Sequence, residues 1–262
     1  MTDGVVDTPG GRLAFRIDGP REAPSLLLCN ALGTTLELWD AQVGALASRY
    51  RIIRYDVRGH GRSVGSVPAT SLADLGQDAC AVLDAVGVHA AHVAGISLGG
   101  LTALWLALHE PDRVDRLLLA NTAARVGSVE RWNERIELVQ NGGLDVVADR
   151  AIGTWFTPPF VALEPEVTAR VRQMVIACSP EAYCGCCVAL READLRSALG
   201  DVRSPTLVIA GVQDQSTTVD DARALVDGVP DAALRVLDCA HLSNVECAET
   251  FTREAEAFLT SR

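Results

Sequence analysis

The sequence predicts an α/β protein: a mostly parallel central sheet, covered by helices on both faces, with a helical insertion late in the chain. Three observations carry this. Short apolar runs alternate with amphipathic segments, and the runs are apolar at consecutive positions, as strands buried on both faces must be. The alternation then lapses between Asn121 and about Leu199, where only helical patterns remain. With 262 residues, 48% of them hydrophobic, the chain is long enough to build one large core.

The strand-like runs cover 13–17, 26–29, 52–55, 93–96, 117–120, 207–210 and 234–237. Helical spacing occupies 38–47 between the second and third runs. Between the third and fourth, Ser71 followed by Asp74 marks a helix start, and Leu72, Leu75, Ala79, Val82, Leu83 and Val86 share one face. Further helical stretches at 129–140, 144–155 and 167–177 are punctuated by Pro158, Pro159, Pro165 and Pro180, and Pro205 marks the return to the sheet. The organisation expected is a core of residues 1–121 and 200–262 with a helical cap at 122–199. Sheets of this kind bind ligands at the carboxyl ends of their strands, so the cap is expected to lie over the site and shape its pocket.

Composition removes several classes of function. The net charge of −11 is offset by no basic run, which argues against nucleic acid and anionic membrane as partners. All 23 basic residues are arginine, so no lysine can serve as nucleophile or Schiff base. Residues 1–25 are polar and lack the apolar stretch of a signal peptide, and a cytoplasmic location is expected. Eight cysteines in such a chain read as buried thiols; Cys184, Cys186 and Cys187 cluster without the second Cys or His pair that a zinc site needs. No metal is expected there.

The chemistry is concentrated in Gly95-Ile96-Ser97-Leu98-Gly99, which ends an apolar run and opens a helix of small and apolar residues. This is the pattern of a nucleophile elbow. The serine occupies a sharp strand-to-helix turn that exposes its hydroxyl, and glycines on either side let the two backbones approach. The helix behind Ser97 aims free N–H groups at charge developing on a bound carbonyl oxygen, with Leu98 the first donor.

A serine hydroxyl is a weak nucleophile and needs a base, which in turn needs an orienting acid. Of the five histidines, His89 and His92 flank the start of the elbow strand, and His109 ends the elbow helix, too far along it to reach Ser97. His60 and His241 both follow strand runs. α/β-Hydrolases order their triad as serine, acid, histidine, which favours His241 as base and leaves His60 to brace a tight glycine turn. The acid expected after the penultimate run is Asp214, whereas Asp220 and Asp221 suit the start of the next helix. The second oxyanion donor is expected from the loop Asn30-Ala31-Leu32-Gly33-Thr34, as the backbone N–H of Leu32.

The chain thus resembles the α/β-hydrolase fold and, more narrowly, the 3-oxoadipate enol-lactonases of aromatic catabolism. Tyr55-Asp56-Val57-Arg58-Gly59-His60-Gly61 and the elbow are widely shared. Asn30-Ala31-Leu32-Gly33-Thr34, Ala120-Asn121-Thr122-Ala123-Ala124-Arg125, Trp155-Phe156-Thr157-Pro158 and Ala240-His241-Leu242-Ser243-Asn244-Val245-Glu246 track the lactonases. Ala31 in place of serine, Gln215 in place of proline and the cysteine cluster depart from them. The resemblance implies a cofactor-free serine hydrolase acting on a small anionic lactone with an acetate arm. That arm needs a cation in a dry pocket, and Arg125, Arg131 and Arg135 are the candidates; Arg135 is favoured, with Trp132 and Trp155 as walls. The same residues suit an esterase for another small ester or a slow-turnover receptor. Ser97, where haloalkane dehalogenase chemistry requires aspartate, argues against that activity.

Overall fold

A computed structural model describes residues 1–260. Its centre is a nine-stranded sheet: β1 (Thr2–Thr8), β2 (Gly11–Asp18), β3 (Ser25–Cys29), β4 (Arg51–Tyr55), β5 (Val64–Gly65), β6 (Ala91–Ile96), β7 (Val114–Ala120), β8 (Thr206–Gly211) and β9 (Ala232–Leu237). The spatial order is β1-β2-β4-β3-β6-β7-β8-β9, with β5 beside β2. From β4 to β9 every neighbouring pair is parallel. The all-apolar runs of β3, β6, β7 and β8 are nearly fully buried, because helices cover both faces.

Those helices are α1 (Asp40–Leu46), α2 (Leu72–Ala85) and α3 (Leu98–His109), then α8 (Val219–Gly228), α9 (Ser243–Glu246) and α10 (Ala248–Thr260). The predicted start of α2 is a reciprocal box: Ser71 Oγ accepts from the Asp74 amide, and Asp74 accepts from the Ser71 amide. Asp221 forms the same box with Thr218 at the start of α8, and Asp220 beside it pairs with Arg223 (2.6 Å).

The first strands depart from expectation. β1 was not among the runs expected from the sequence, yet it pairs antiparallel with β2, and β2 is antiparallel to β4. β1 is a polar edge strand, so it lacks the apolar signature of a buried one. Its partners are legible only once paired: Asp3 lies opposite Arg16 and Asp7 opposite Arg12, and both pairs form ion pairs.

Between β7 and β8 lie α4 (Val129–Trp155), α5 (Pro158–Leu163), α6 (Pro165–Ile176) and α7 (Pro180–Glu192). The break expected inside α4 is real: Gly143 has φ 73° and ψ −177°, so two helices meet there at a residue that tolerates left-handed φ. No single helix among the described residues is long and apolar enough to cross a membrane.

Candidate active site

Ser97 lies between β6 and α3 with φ 57° and ψ −118°, one of two non-glycine residues with positive φ among those described. Strain of this kind persists only where the surroundings enforce it. Here the glycines do so by permitting contact. A Cβ on Gly95 would stand 2.0 Å from the Gly99 carbonyl oxygen, and one on Gly99 would stand 2.1 Å from that of Cys29. The Ser97 amide donates to the Ala120 carbonyl (3.0 Å), and the Ser97 carbonyl accepts from Thr122 Oγ1 (2.8 Å), which ties the turn to the end of β7.

His241 follows β9 and is buried, its Nδ1 2.7 Å from Asp214 Oδ2. Asp214 follows β8 and is held on every side. Oδ2 also accepts from Asn121 Nδ2 (3.0 Å) and Thr217 Oγ1 (2.8 Å), and Oδ1 accepts from the amides of Ser216 (2.7 Å) and Thr217 (3.1 Å). Burial pushes this carboxyl up, but His241, Asn121 and the amides outweigh it, and the net displacement is below the ordinary range. With Nδ1 tied to a carboxylate, the imidazole is oriented to present Nε2 as an acceptor. Trp155 stacks beside the ring, centroids 6.3 Å apart, and its carbonyl accepts from the Leu242 amide (3.1 Å).

Ser97 and His241 line one small, partly open cavity of about 30 Å³. The same cavity is lined by Leu32, Trp132, Trp155 and Arg135, so all the residues expected there from the sequence converge, apart from Asp214, which stands behind His241, and Leu98, which opens α3 behind Ser97. Arg131, Tyr183 and Ser216 also line it. Arg135 reaches Tyr183 Oη at 3.4 Å, and Trp132 donates its indole N–H to the Val126 carbonyl (2.7 Å). Arg125 is placed elsewhere, 3.5 Å from Asp194. A larger groove of about 570 Å³ runs between Leu38, Asp40 and Ala41 of the core and Val167, Val171 and Met174 of α6, but it holds none of Ser97, Asp214 and His241.

The loop carrying Leu32 is shaped by its own polar groups. Asn30 donates to the Tyr55 carbonyl (2.7 Å), and Thr34 donates to the Ala31 carbonyl through both its amide (3.1 Å) and its hydroxyl (2.8 Å). Two other histidines stand apart: His92 packs edge-on to Tyr50, and His109 stacks on Trp105. The eight cysteines are all free. Burial pushes the Cys186 thiol up to about 12, which makes it inert, and the described residues contain no cluster fit to hold a metal ion.

Residues 24–247 match the family model of the alpha/beta hydrolase fold. The chain is an α/β-hydrolase. The hydrolase is 40% identical to 3-oxoadipate enol-lactonase 2 of Acinetobacter baylyi, over 94% of this chain and 92% of that one. It superposes on the crystal structure of the enol-lactonase from Burkholderia xenovorans with a TM-score of 0.96 and 37% identity, covering 98% and 100% of the two chains. A RutD protein of Variovorax paradoxus, named as a carbamate hydrolase, is 31% identical over 94% of this hydrolase and 96% of its own length. The hydrolase is thus an enzyme of the carboxylic-ester hydrolase kind.

Four residues that hold the site were assigned no role from sequence alone. Asn121, Thr217 and Ser243 surround Asp214 and its loop, and Glu246 accepts from the Ala240 amide (2.9 Å) while also binding Thr157. Three of them lie in segments that set the lactonase resemblance apart, which was the available signal; Thr217 carried none.

Proposed function

We propose that the hydrolase opens the ring of 3-oxoadipate enol-lactone to give 3-oxoadipate. The observation that carries this is one cavity lined by a strained serine, a carboxylate-backed histidine and two arginines, Arg131 and Arg135, with the Arg135 guanidinium held at Tyr183 Oη of the same lining. A neutral ester needs no cation beside the reacting centre; a lactone bearing a carboxylate arm does. The relatives named as enol-lactonases support the same substrate.

Ser97 Oγ attacks the ring carbonyl as His241 Nε2 takes its proton, and Asp214 stabilises the imidazolium. The Leu98 and Leu32 amides hold the tetrahedral oxyanion. The C–O bond of the ring then breaks, giving an enolate still attached to the acyl-enzyme. The imidazolium of His241 gives its proton to the enolate, which becomes the ketone and restores the neutral base; a water then deprotonated by His241 attacks the acyl-enzyme, the second carboxylate is released, and His241 returns the proton to Ser97. One water is consumed and no redox change occurs. Residues 122–199 act as the cap: Arg135 holds the acetate arm, Trp132 and Trp155 wall the ring, and the helices exclude bulk water.

Ultraviolet loss of the enol-lactone, generated in place from muconolactone, tests this with p-nitrophenyl acetate and a carbamate ester alongside. Fast, Ser97-dependent loss of the lactone with weak cleavage of the others is expected. Cleavage of either neutral ester with the lactone untouched would overturn the substrate and leave the serine chemistry standing.

A further inference from the structure

Asn121 follows β7 and is 1% exposed, with no place in the lining of the cavity. Its backbone has φ 43°, a left-handed conformation that asparagine tolerates better than most residues. Both donors and the acceptor oxygen of its side chain engage the two loops that carry Asp214 and His241. Nδ2 donates to Asp214 Oδ2 (3.0 Å) and to the carbonyl of Ala240 (3.1 Å), the residue before His241. Oδ1 accepts from Ser243 Oγ (2.5 Å), two residues beyond His241. The partners dictate the orientation of the amide, since turning it over would set its oxygen against two acceptors. They also dictate asparagine over aspartate, which would put a carboxylate oxygen against that of Asp214.

We infer that Asn121 is a positioning residue that locks the acid and base loops in one register, acting on the reaction through Asp214. The inference rests on the serine-triad reading above. Asn121 is the only side chain found to touch both the Asp214 carboxylate and the loop backbone next to His241 among the hydrogen bonds of the described residues. The other ionisable groups around the pair are Arg131, Arg135 and Tyr183 across the cavity, and Glu246 and Cys239 on the His241 loop.

Asn121→Gly accepts the left-handed backbone and removes the side chain; Asn121→Asp keeps the shape and reverses the donor. Both are to be assayed with p-nitrophenyl acetate, against wild type and Ser97→Ala. In Asn121→Gly, kcat is expected to fall about 10- to 100-fold with KM within about two-fold. The acid limb of kcat/KM should move to higher pH, because a carboxylate with one donor fewer holds a protonated imidazole more tightly. Asn121→Asp should lose more. A folded Asn121→Gly enzyme with kcat and pH profile unchanged, or with the loss confined to KM, would overturn the inference. If Asn121→Gly does not fold, Ser243→Ala decides. A loss of a few-fold with the same shift supports the inference, and an unchanged profile refutes it. Ester cleavage surviving in Ser97→Ala would instead overturn the triad reading itself.

Discussion

His60 and His241 begin from similar positions, each a few residues beyond the carboxyl end of a strand of the same sheet, and each is buried. What meets Nδ1 separates them. In His241 it is the carboxylate of Asp214, and the ring opens on the cavity of Ser97. In His60 it is the carbonyl of Arg58 at 3.0 Å, while Nε2 is buried without a partner. The His60 loop turns on Gly59 and Gly61, both with positive φ, and packs against α7, where Gly59 accepts from the Ser179 amide (2.8 Å). Burial presses the His60 ring below its ordinary value of 6.5, with the Arg58 carbonyl only partly opposing this. A neutral imidazole without an acid to stabilise its cation is a packing element. The comparison teaches that two histidines in similar loops are separated by what a second loop delivers to Nδ1, and only His241 has the carboxylate that the proposed base role calls for.

The largest test of this contrast is to remove the reacting groups. Ser97→Ala and His241→Ala should each lower kcat by about 10³- to 10⁶-fold in a folded protein, measured by ester and lactone turnover. Equal damage from His60→Ala in a folded protein would break the assignment. Asp214→Asn comes next, with an expected loss of about 10³- to 10⁴-fold, since the amide no longer stabilises the imidazolium. Retention of more than about a tenth of wild-type kcat would mean that the carboxylate is not what distinguishes the two histidines.

A smaller effect concerns the far side of the His241 cavity. Arg135→Ala should raise KM for the anionic lactone about 10-fold or more and leave KM for p-nitrophenyl acetate nearly unchanged. Equal changes for both would remove Arg135 from recognition of the arm. Arg131→Ala run in parallel shows which of the two guanidinium groups does this.

The smallest effect on rate belongs to His60. His60→Gln should keep kcat within about three-fold and cost about 1–3 kcal/mol of stability. Its signature is in pH. A ring whose folded pKa lies below 6.5 binds fewer protons folded than unfolded, so its contribution is full above 6.5 and declines as pH falls from there toward the folded value. Thermal melts of His60→Gln should therefore lose less stability than wild type on acidification below 6.5. His92, displaced the same way by burial, leaves a residual slope. Asp214 acts lower on the scale: its folded pKa is depressed, so its contribution holds above its unfolded value of 3.8 and is lost as pH falls through the folded one.

The sequence by itself determined what depends on neighbours along the chain. The elbow was legible because steric demands at Ser97 are met by glycines two residues away, and the buried strands and the box at Ser71 because periodicity and capping are local. The break at Gly143 was legible for the same reason. Chain order then ranked the histidines. Tertiary structure decided which groups meet across long separations. Asn121 lies 93 residues from Asp214 and 122 from Ser243, and no local pattern encodes such a pairing. It also decided that Arg131 and Arg135, both on α4, line the cavity while Arg125, in the loop before that helix, pairs with Asp194, because all three are chemically alike and only their places in the fold distinguish them. The hairpin of β1 with β2 was hidden because an edge strand buries too little to leave an apolar signature, and its cross-strand ion pairs exist only once the register is set.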